Sequence, residues 1–257
     1  MGHSSMQSCP LVSILIPSFN REKYLRKSID GALNQSYRDI EVIVVDGASK
    51  DRTVDILKSY GNRIKWISEP DQGESDAYNK GVRLSQGEII CFLPSDDMLL
   101  PNAVEVAIQE FQTGDDHVGM VNGDAFLVDE QDHIIGFVRA VPLSAYYLTN
   151  IDVGRVIQPS TFLRRWAIQQ AGGWDISVRY ANDLDLWIRV LRNYSCRYVQ
   201  TPLSYVRRHS SSLTVSQFKA ALVDAYKIRR KYGGLLLSPA TLRMLKVLLK
   251  YVLLKRM

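Results

Sequence analysis

Two adjacent carboxylates, Asp96 and Asp97, interrupt an apolar stretch in EIICFLPSDDMLLP, residues 88–101. Like charges side by side repel, and each loses hydration on burial. A pair in that place suits a hard divalent cation with oxygen ligands, Mg2+ or Mn2+. Such a cation would cancel the pair and carry a diphosphate that bare acids would repel. Two more polar features end apolar runs. PSFN, with Pro17, Ser18 and Asn20, follows LVSILI, and Asp46 ends IEVIVVD. An Asp at a strand end is common and can simply cap the next helix. Several such features in one α/β half point instead to a shared crevice. The glycine loops G-x-G-x-x-G and G-x-x-x-x-G-K-[ST] are missing, which excludes the usual dinucleotide and P-loop ways of holding phosphate.

In open parallel sheets the ligand lies beyond the carboxyl ends of the strands. The elements that would place these residues there are legible. Short β-branched runs at 11–16, 40–46, 64–68 and 88–93 read as buried strands. Helical patterns separate them: Tyr24, Leu25, Ile29 and Leu33 share one face, RTVDILKSYG stops at a glycine, and ESDAYNKGVRLSQG ends at Gly87. Strands alternating with helices mean a parallel sheet with right-handed crossovers, here a nucleotide-binding half over residues 9–100.

A second half, 101–212, has a different pattern. PNAVEVAIQEFQ is a helix with proline at its start. GMVNGDAFLVDEQDHIIGFV reads as strands around a DEQDH turn, VIQPSTFLRR as extended, and CRYVQTPLSYVRRH as a strand followed by a turn. NDLDLWIRVLRNY is a helix with Leu184, Trp187, Ile188 and Leu191 on its core face. Asp183 and Asp185 then lie about 100° either side of Leu184, so only one faces the cleft squarely.

PSFN, VVDGASKDRT, SEPDQGESDAYNKGVRLSQGEIICFLPSDD and GGWDISVRYANDLDLWIR, in that order, resemble the family 2 glycosyltransferases with a GT-A fold. The resemblance spans roughly Leu11 to His209. It implies an α/β fold, with a Rossmann-like nucleotide-binding half on a mostly parallel sheet, an acceptor-binding half and a C-terminal helical extension. It implies transfer of a sugar from a nucleotide-sugar, with UDP favoured, to an acceptor hydroxyl with inversion. By position, Pro17, Ser18, Asn20 and Asp46 would hold base and ribose, and Asp71 and Asp76 would line the same pocket. Asp97 would ligate Mn2+ or Mg2+, and Asp96 would support ribose or donor sugar. Asp183 would be the catalytic base, with Asp185 a structural hydrogen-bonder. In RRHSS, His209 would bind the metal and Arg207 or Arg208 a phosphate. Two positions depart from the pattern. Asn182 stands where many relatives have Glu, and Ala48 where a second glycine is common. A sugar nucleotidyltransferase would need a glycine-rich, arginine-containing loop where PSFN stands. A non-catalytic nucleotide-sugar-binding protein remains the other alternative, kept alive by Asn182.

The chain has 257 residues, enough for one large domain with an extension. MGHSSM reads as a tag remnant within residues 1–8, and neither a signal peptide nor a membrane span is legible. Cys9, Cys91 and Cys196 are isolated, which fits a reducing cytoplasm. The net charge of +5 is uneven: residues 205–257 hold 12 Lys and Arg against the single acid Asp224. The rest is acidic and suits no nucleic acid. Residues 213–257 read as basic helices around 217–232 and 240–257. In the last of them Arg243, Lys246 and Lys250 form a stripe among apolar residues. That pattern fits a helix lying on an anionic leaflet, peripheral on the inner face of the cytoplasmic membrane, or a helix packed on protein, including a homodimer contact. A membrane location would suit a lipid-linked saccharide acceptor in surface-polysaccharide assembly.

Overall fold

The computed structural model describes residues 9–152, 157–210, 212 and 217–254, with side chains to residue 249. The expected tag remnant and the last residues of the expected final helix, 255–257, lie outside the described residues. A nine-stranded sheet runs through the molecule. Its first part is the parallel set expected, β1 (Val12–Ser18), β2 (Ile40–Asp46), β3 (Lys65–Ser68) and β4 (Ile89–Phe92), in the order β3-β2-β1-β4.

Side-chain alternation along these strands divides the core in two. Val12, Ile14, Ile16, Val42, Val44 and Cys91 face α1 (Leu25–Leu33), α2 (Thr53–Ser59) and α4 (Ala103–Thr113). Leu15, Ile43, Val45, Ile90 and Phe92 face the other layer, with α3 (Glu74–Leu84), α5 (Ala145–Asn150), α6 (Arg165–Gln170) and α7 (Asn182–Leu191). Both faces are covered, so these strands are continuously apolar.

Beyond β4 the sheet is mixed. The antiparallel strand β8 (Thr161–Arg164) joins β4 to β6 (Val118–Val128). The far end of β6 forms a hairpin with β7 (Ile134–Val138), around the expected DEQDH turn. β9 (Ser195–Arg207) runs parallel to β6. One expectation needs correction. VIQPSTFLRR is not extended throughout, since Gln158–Ser160 form a 3-10 turn around Pro159 before β8 begins. CRYVQTPLSYVRRH is a strand followed by a turn, as expected: β9 runs 13 residues from Ser195 to Arg207, and the register shift opposite Gly123 and Asp124 absorbs Pro202. One short strand was not legible at all. β5 (Met98–Leu99) follows the acid pair and pairs with Tyr205 and Ser204 of β9. That pairing joins the end of the nucleotide-binding half to the end of the second half.

The C-terminal helices, α8 (Phe218–Lys231) and α9 (Pro239–Leu254), pack on α5 and α7. Ala225, Ile228 and Met244 belong to the same core cluster as Trp187. Arg229 is buried here and donates to Thr149 O at 2.6 Å and Ser238 Oγ at 2.6 Å. None of the helices described is long and apolar enough to cross a membrane.

Candidate active site

The carboxyl ends of β1 and β2 meet, with Ser18 and Asp46 as register partners and Pro17 opposite Val45. Asp46 is fully buried. It accepts hydrogen bonds from Ser49 N at 3.0 Å, Ser68 Oγ at 2.6 Å and the Ser49 hydroxyl. Its carboxylate therefore shapes the turn after β2 rather than capping a helix. The Ser18 hydroxyl beside it is buried without a partner among the described residues. Asn20 joins the two loops: its N–H donates to Ser49 Oγ at 2.7 Å and its Oδ1 accepts from Lys50 N at 2.9 Å. Asp71 packs onto the same turn. A Cβ on Gly47 would stand 2.6 Å from Asp71 Oδ2, so the Asp71 carboxylate lies directly against the bare backbone of this turn. Asp76 accepts from Gln72 N at 3.2 Å and lies 3.5 Å from Lys80 Nζ. Most of the oxygens of these residues are engaged in holding the surrounding loops in shape.

β5 and β9 bring the RRH segment beneath the acid pair. Arg207 N donates to Asp97 Oδ1 at 2.8 Å, and His209 Nε2 lies 2.8 Å from Asp96 Oδ2. Asp97 is buried, and burial together with the neighbouring Asp96 charge pushes its carboxyl well above the usual carboxylate range. His209 is buried against the Tyr24 ring, with centroids 4.8 Å apart, so it is not a surface turn residue. Arg207 requires a correction. Its guanidinium is fully buried and committed: Nε donates to Asp96 O at 2.9 Å, Nη1 to Asp129 O at 2.8 Å, and Nη2 ion-pairs Asp132 at 2.5 Å. It is a strut between the acid pair and the β6–β7 hairpin, and its fully buried side chain exposes no N–H to a phosphate. Arg208 is exposed, and its charge draws the Asp97 carboxyl down.

The third component is where two helix N-termini meet. Asn182 and Asp183 begin α7, and Glu74 begins α3. Asn182 Nδ2 donates to Glu74 Oε2 at 3.3 Å and to Ser75 Oγ at 3.1 Å, while its Oδ1 accepts from Asp183 N at 3.1 Å. Asp183 Oδ1 accepts from Leu184 N at 2.7 Å. Burial raises the Asp183 carboxyl above its ordinary value. Burial also pushes Glu74 up to about 7; the Asn182 amide opposes that shift, and the charges of Asp183 and Asp96 add to it. Glu74 is thus coupled to both the acid pair and the α7 terminus. Sequence reading passed over it because an acid at the start of a helix is ordinary. The available signal was its place in DQGES, directly after the pocket loop.

Packing fixes this geometry. Asn79 on α3 clamps Trp174: its Nδ2 donates to Trp174 O at 2.8 Å and its Oδ1 accepts from Trp174 N at 3.0 Å. Tyr78 stacks on Trp174 at 4.7 Å, and Trp187 closes the aromatic group. Asp185, expected as a structural hydrogen-bonder, is fully buried. It takes Arg189 Nε at 2.8 Å and the Tyr232 hydroxyl at 2.8 Å.

Asp96, Asp97 and His209 offer the carboxylate and imidazole donors that a divalent cation takes. Among the described residues no three His, Cys, Asp or Glu side chains are grouped so that they could hold a metal ion by themselves. The buried, mutually repelling pair fits a cation that draws its remaining ligands from phosphate and water.

Comparison with known proteins agrees with this fold. The family model "Glycosyl transferase family 2" matches residues 13–149. An uncharacterised glycosyltransferase of Rickettsia typhi is 34% identical over 212 residues, 80% of this chain and 66% of its own length. The chondroitin synthase of Escherichia coli is 33% identical over 191 residues, 73% of this chain and 27% of its own length. The chain therefore spans less than two thirds of either relative. Staphylococcus aureus TarS 1-349 in complex with UDP-GlcNAc shares the fold at TM-score 0.68 and 17% identity, covering 91% of this chain and 69% of TarS 1-349. The Pyrobaculum calidifontis mannosyltransferase PcManGT, in complex with GDP-Man and Mn2+, does so at TM-score 0.63 and 15% identity, covering 98% of this chain and 82% of its own. A GT-A-type α/β fold and a family model covering more than half of the sequence lead to one conclusion: the chain belongs to glycosyl transferase family 2.

Proposed function

We propose that this chain transfers a sugar from a nucleoside-diphosphate sugar, a UDP-sugar by preference, to a saccharide hydroxyl with inversion. The acceptor is a growing or lipid-linked saccharide of a surface polysaccharide, met at the cytoplasmic face of a membrane. The observation that carries this reading is that Glu74, hydrogen-bonded to Asn182 beside Asp183, feels the charges of both Asp183 and Asp96. Those acids come from three separate elements. The chondroitin synthase relative supports the polysaccharide part, and the UDP-GlcNAc complex of TarS supports the donor.

Inverting transfer is a single displacement and needs no enzyme nucleophile. Asp183 takes the acceptor proton; its Oδ1 is fixed by Leu184 N, which leaves Oδ2 for the hydroxyl. Its raised affinity for protons makes it a stronger base than an exposed carboxylate. Ser18, Asn20, Asp46, Asp71 and Asp76 frame the nucleotide, and Asp96 holds ribose or donor sugar. Asp97 and His209 would hold Mn2+ or Mg2+, which, when bound, stabilises the charge growing on the leaving diphosphate. Arg208 adds a cation on the same side. Glu74 borders both the donor and acceptor sides and accepts hydrogen bonds from sugar hydroxyls.

The test measures release of nucleoside diphosphate from a panel of nucleotide-sugars with Mn2+, for the native chain and Asp183→Asn. The variant should lose about 10²–10⁴-fold in turnover. It should keep the thermal stabilisation given by nucleotide and metal. Equal turnover by both proteins would remove Asp183 as the base.

A further inference from the structure

The second helical layer ends in an apolar surface that nothing in the described structure covers. Between α8 and α9 the chain turns through Gly233, Gly234 and three consecutive leucines, Leu235, Leu236 and Leu237. All three are more than half exposed, and Leu237 is 85% exposed. α9 then buries Ala240, Thr241 and Met244 against the body. Its opposite face presents Leu242, Leu245 and Leu249, again each more than half exposed. Positions 242, 245, 246 and 249 lie on one helical face, so the exposed Lys246 sits among these leucines. An α-helix with two apolar faces needs a second cover.

We propose that the Leu235–Leu237 turn and the Leu242–Leu245–Leu249 face of α9 insert into the surface of an anionic lipid bilayer. Charge complementarity selects this occupant. Arg230, exposed at the end of α8, lies over the turn and donates to Gly234 O. Lys246 stands within the leucine face, and Lys250, Lys255 and Arg256 follow in the sequence. Arg243 is not part of this contact, because it ion-pairs Asp152 on the body. Two copies joined through this face would bring these cations together. The described part of the patch is aliphatic, without the aromatic anchors that mark protein interfaces. Leucines flanked by Lys and Arg are what a monotopic contact needs, since a lipid surface asks for no shape complementarity. The structure sharpens the basic stripe expected from sequence into a leucine wedge with a cationic rim.

Flotation of the full chain with vesicles tests this. Phosphatidylcholine vesicles containing phosphatidylglycerol should carry the chain, and pure phosphatidylcholine vesicles should not. Added salt should weaken the binding. Leu236→Ser with Leu237→Ser, and separately Leu245→Ser with Leu249→Ser, should each reduce it by on the order of tenfold. These side chains are exposed, so melting temperatures should not change. The proposal is overturned by no flotation with either vesicle, or by equal flotation of the variants. A dimer in light scattering that the leucine variants split, without vesicle binding, would give the face to a second copy instead. Nucleotide-sugar turnover is read separately in solution, so failure here leaves the glycosyltransferase reading standing.

Discussion

An acid in the first turn of a helix is ordinarily favoured by the unpaired N–H groups around it. Glu74 stands in such a place, yet burial and the charges of Asp183 and Asp96 push its carboxyl up to about 7. The sign of the consequence follows from linkage. An unfolded Glu titrates near 4.5, so between that value and about 7 the folded chain binds the extra proton. Stability in chelator should therefore fall as pH rises from 5 to 7.5, by about 2 kcal/mol from this group. Glu74→Gln keeps an oxygen for the Asn182 amide and should lose that part of the slope. Urea unfolding of both proteins at the two pH values measures it, and identical slopes would mean that Glu74 does not titrate in this window. Asn182 also reads differently at this scale. It departs from the family pattern, but its amide bridges Glu74 to the Asp183 backbone, so an acid beside the proposed base is supplied by α3 instead.

At the scale of elements, the loops after β1 and β2 form one unit, tied by Asn20 to Ser49 and Lys50 and by Asp71 against Gly47. Ala48 within it has φ of 61°, a left-handed conformation that costs an L-residue about 1–2 kcal/mol. The alanine flagged as a departure from a common glycine is therefore strained. Ala48→Gly relieves that strain, and the greater freedom of glycine when unfolded offsets about 0.5–1 kcal/mol. A net gain of about 0.5 kcal/mol is expected, seen as a higher urea midpoint at unchanged m-value. A lower midpoint would show that the methyl group makes contacts worth more than the strain. The strands and helices here were legible because a buried parallel strand is a run of β-branched residues. Backbone sign at one alanine was not, since φ depends on how two loops close on each other.

At the scale of the molecule, Asp185 joins the site helix to the C-terminal helices. Its buried carboxylate holds Arg189 on α7 and reaches Tyr232 and Lys231 at the end of α8. Asp185→Ala leaves Arg189 half-paired and frees the end of α8. It should destabilise the chain by about 3 kcal/mol, at the low end for a broken buried pair because Lys231 reaches water. Limited proteolysis should cut first near residues 233–238. Equal stability and equal protection would mean that α8 is held by its apolar contacts alone. Sequence reading placed this acid on the flank of Leu184 but could not name its partners, which lie on α7 itself and 46 or more residues further along the chain.

What the sequence determined by itself was local and periodic. The parallel strands, their helices, the acids at strand ends and the α7 face all follow from patterns shorter than a turn or two of chain. They sufficed to foresee an α/β fold and to single out Asp96 and Asp97, whereas the choice of Asp183 over Asp185 rested on the family resemblance. Tertiary structure decided which of these groups meet and which are already committed. It turned Arg207 from an expected phosphate-binding group into a strut, brought His209, expected as a metal ligand, into contact with Asp96, and put Glu74 beside Asn182 and the charges of Asp183 and Asp96. It did so through β5 on β9 and the clamp of Asn79 on Trp174, contacts about 95 or more residues apart in sequence. Hydrogen-bond partners at such separations leave no periodic trace, because only the closed fold brings them together.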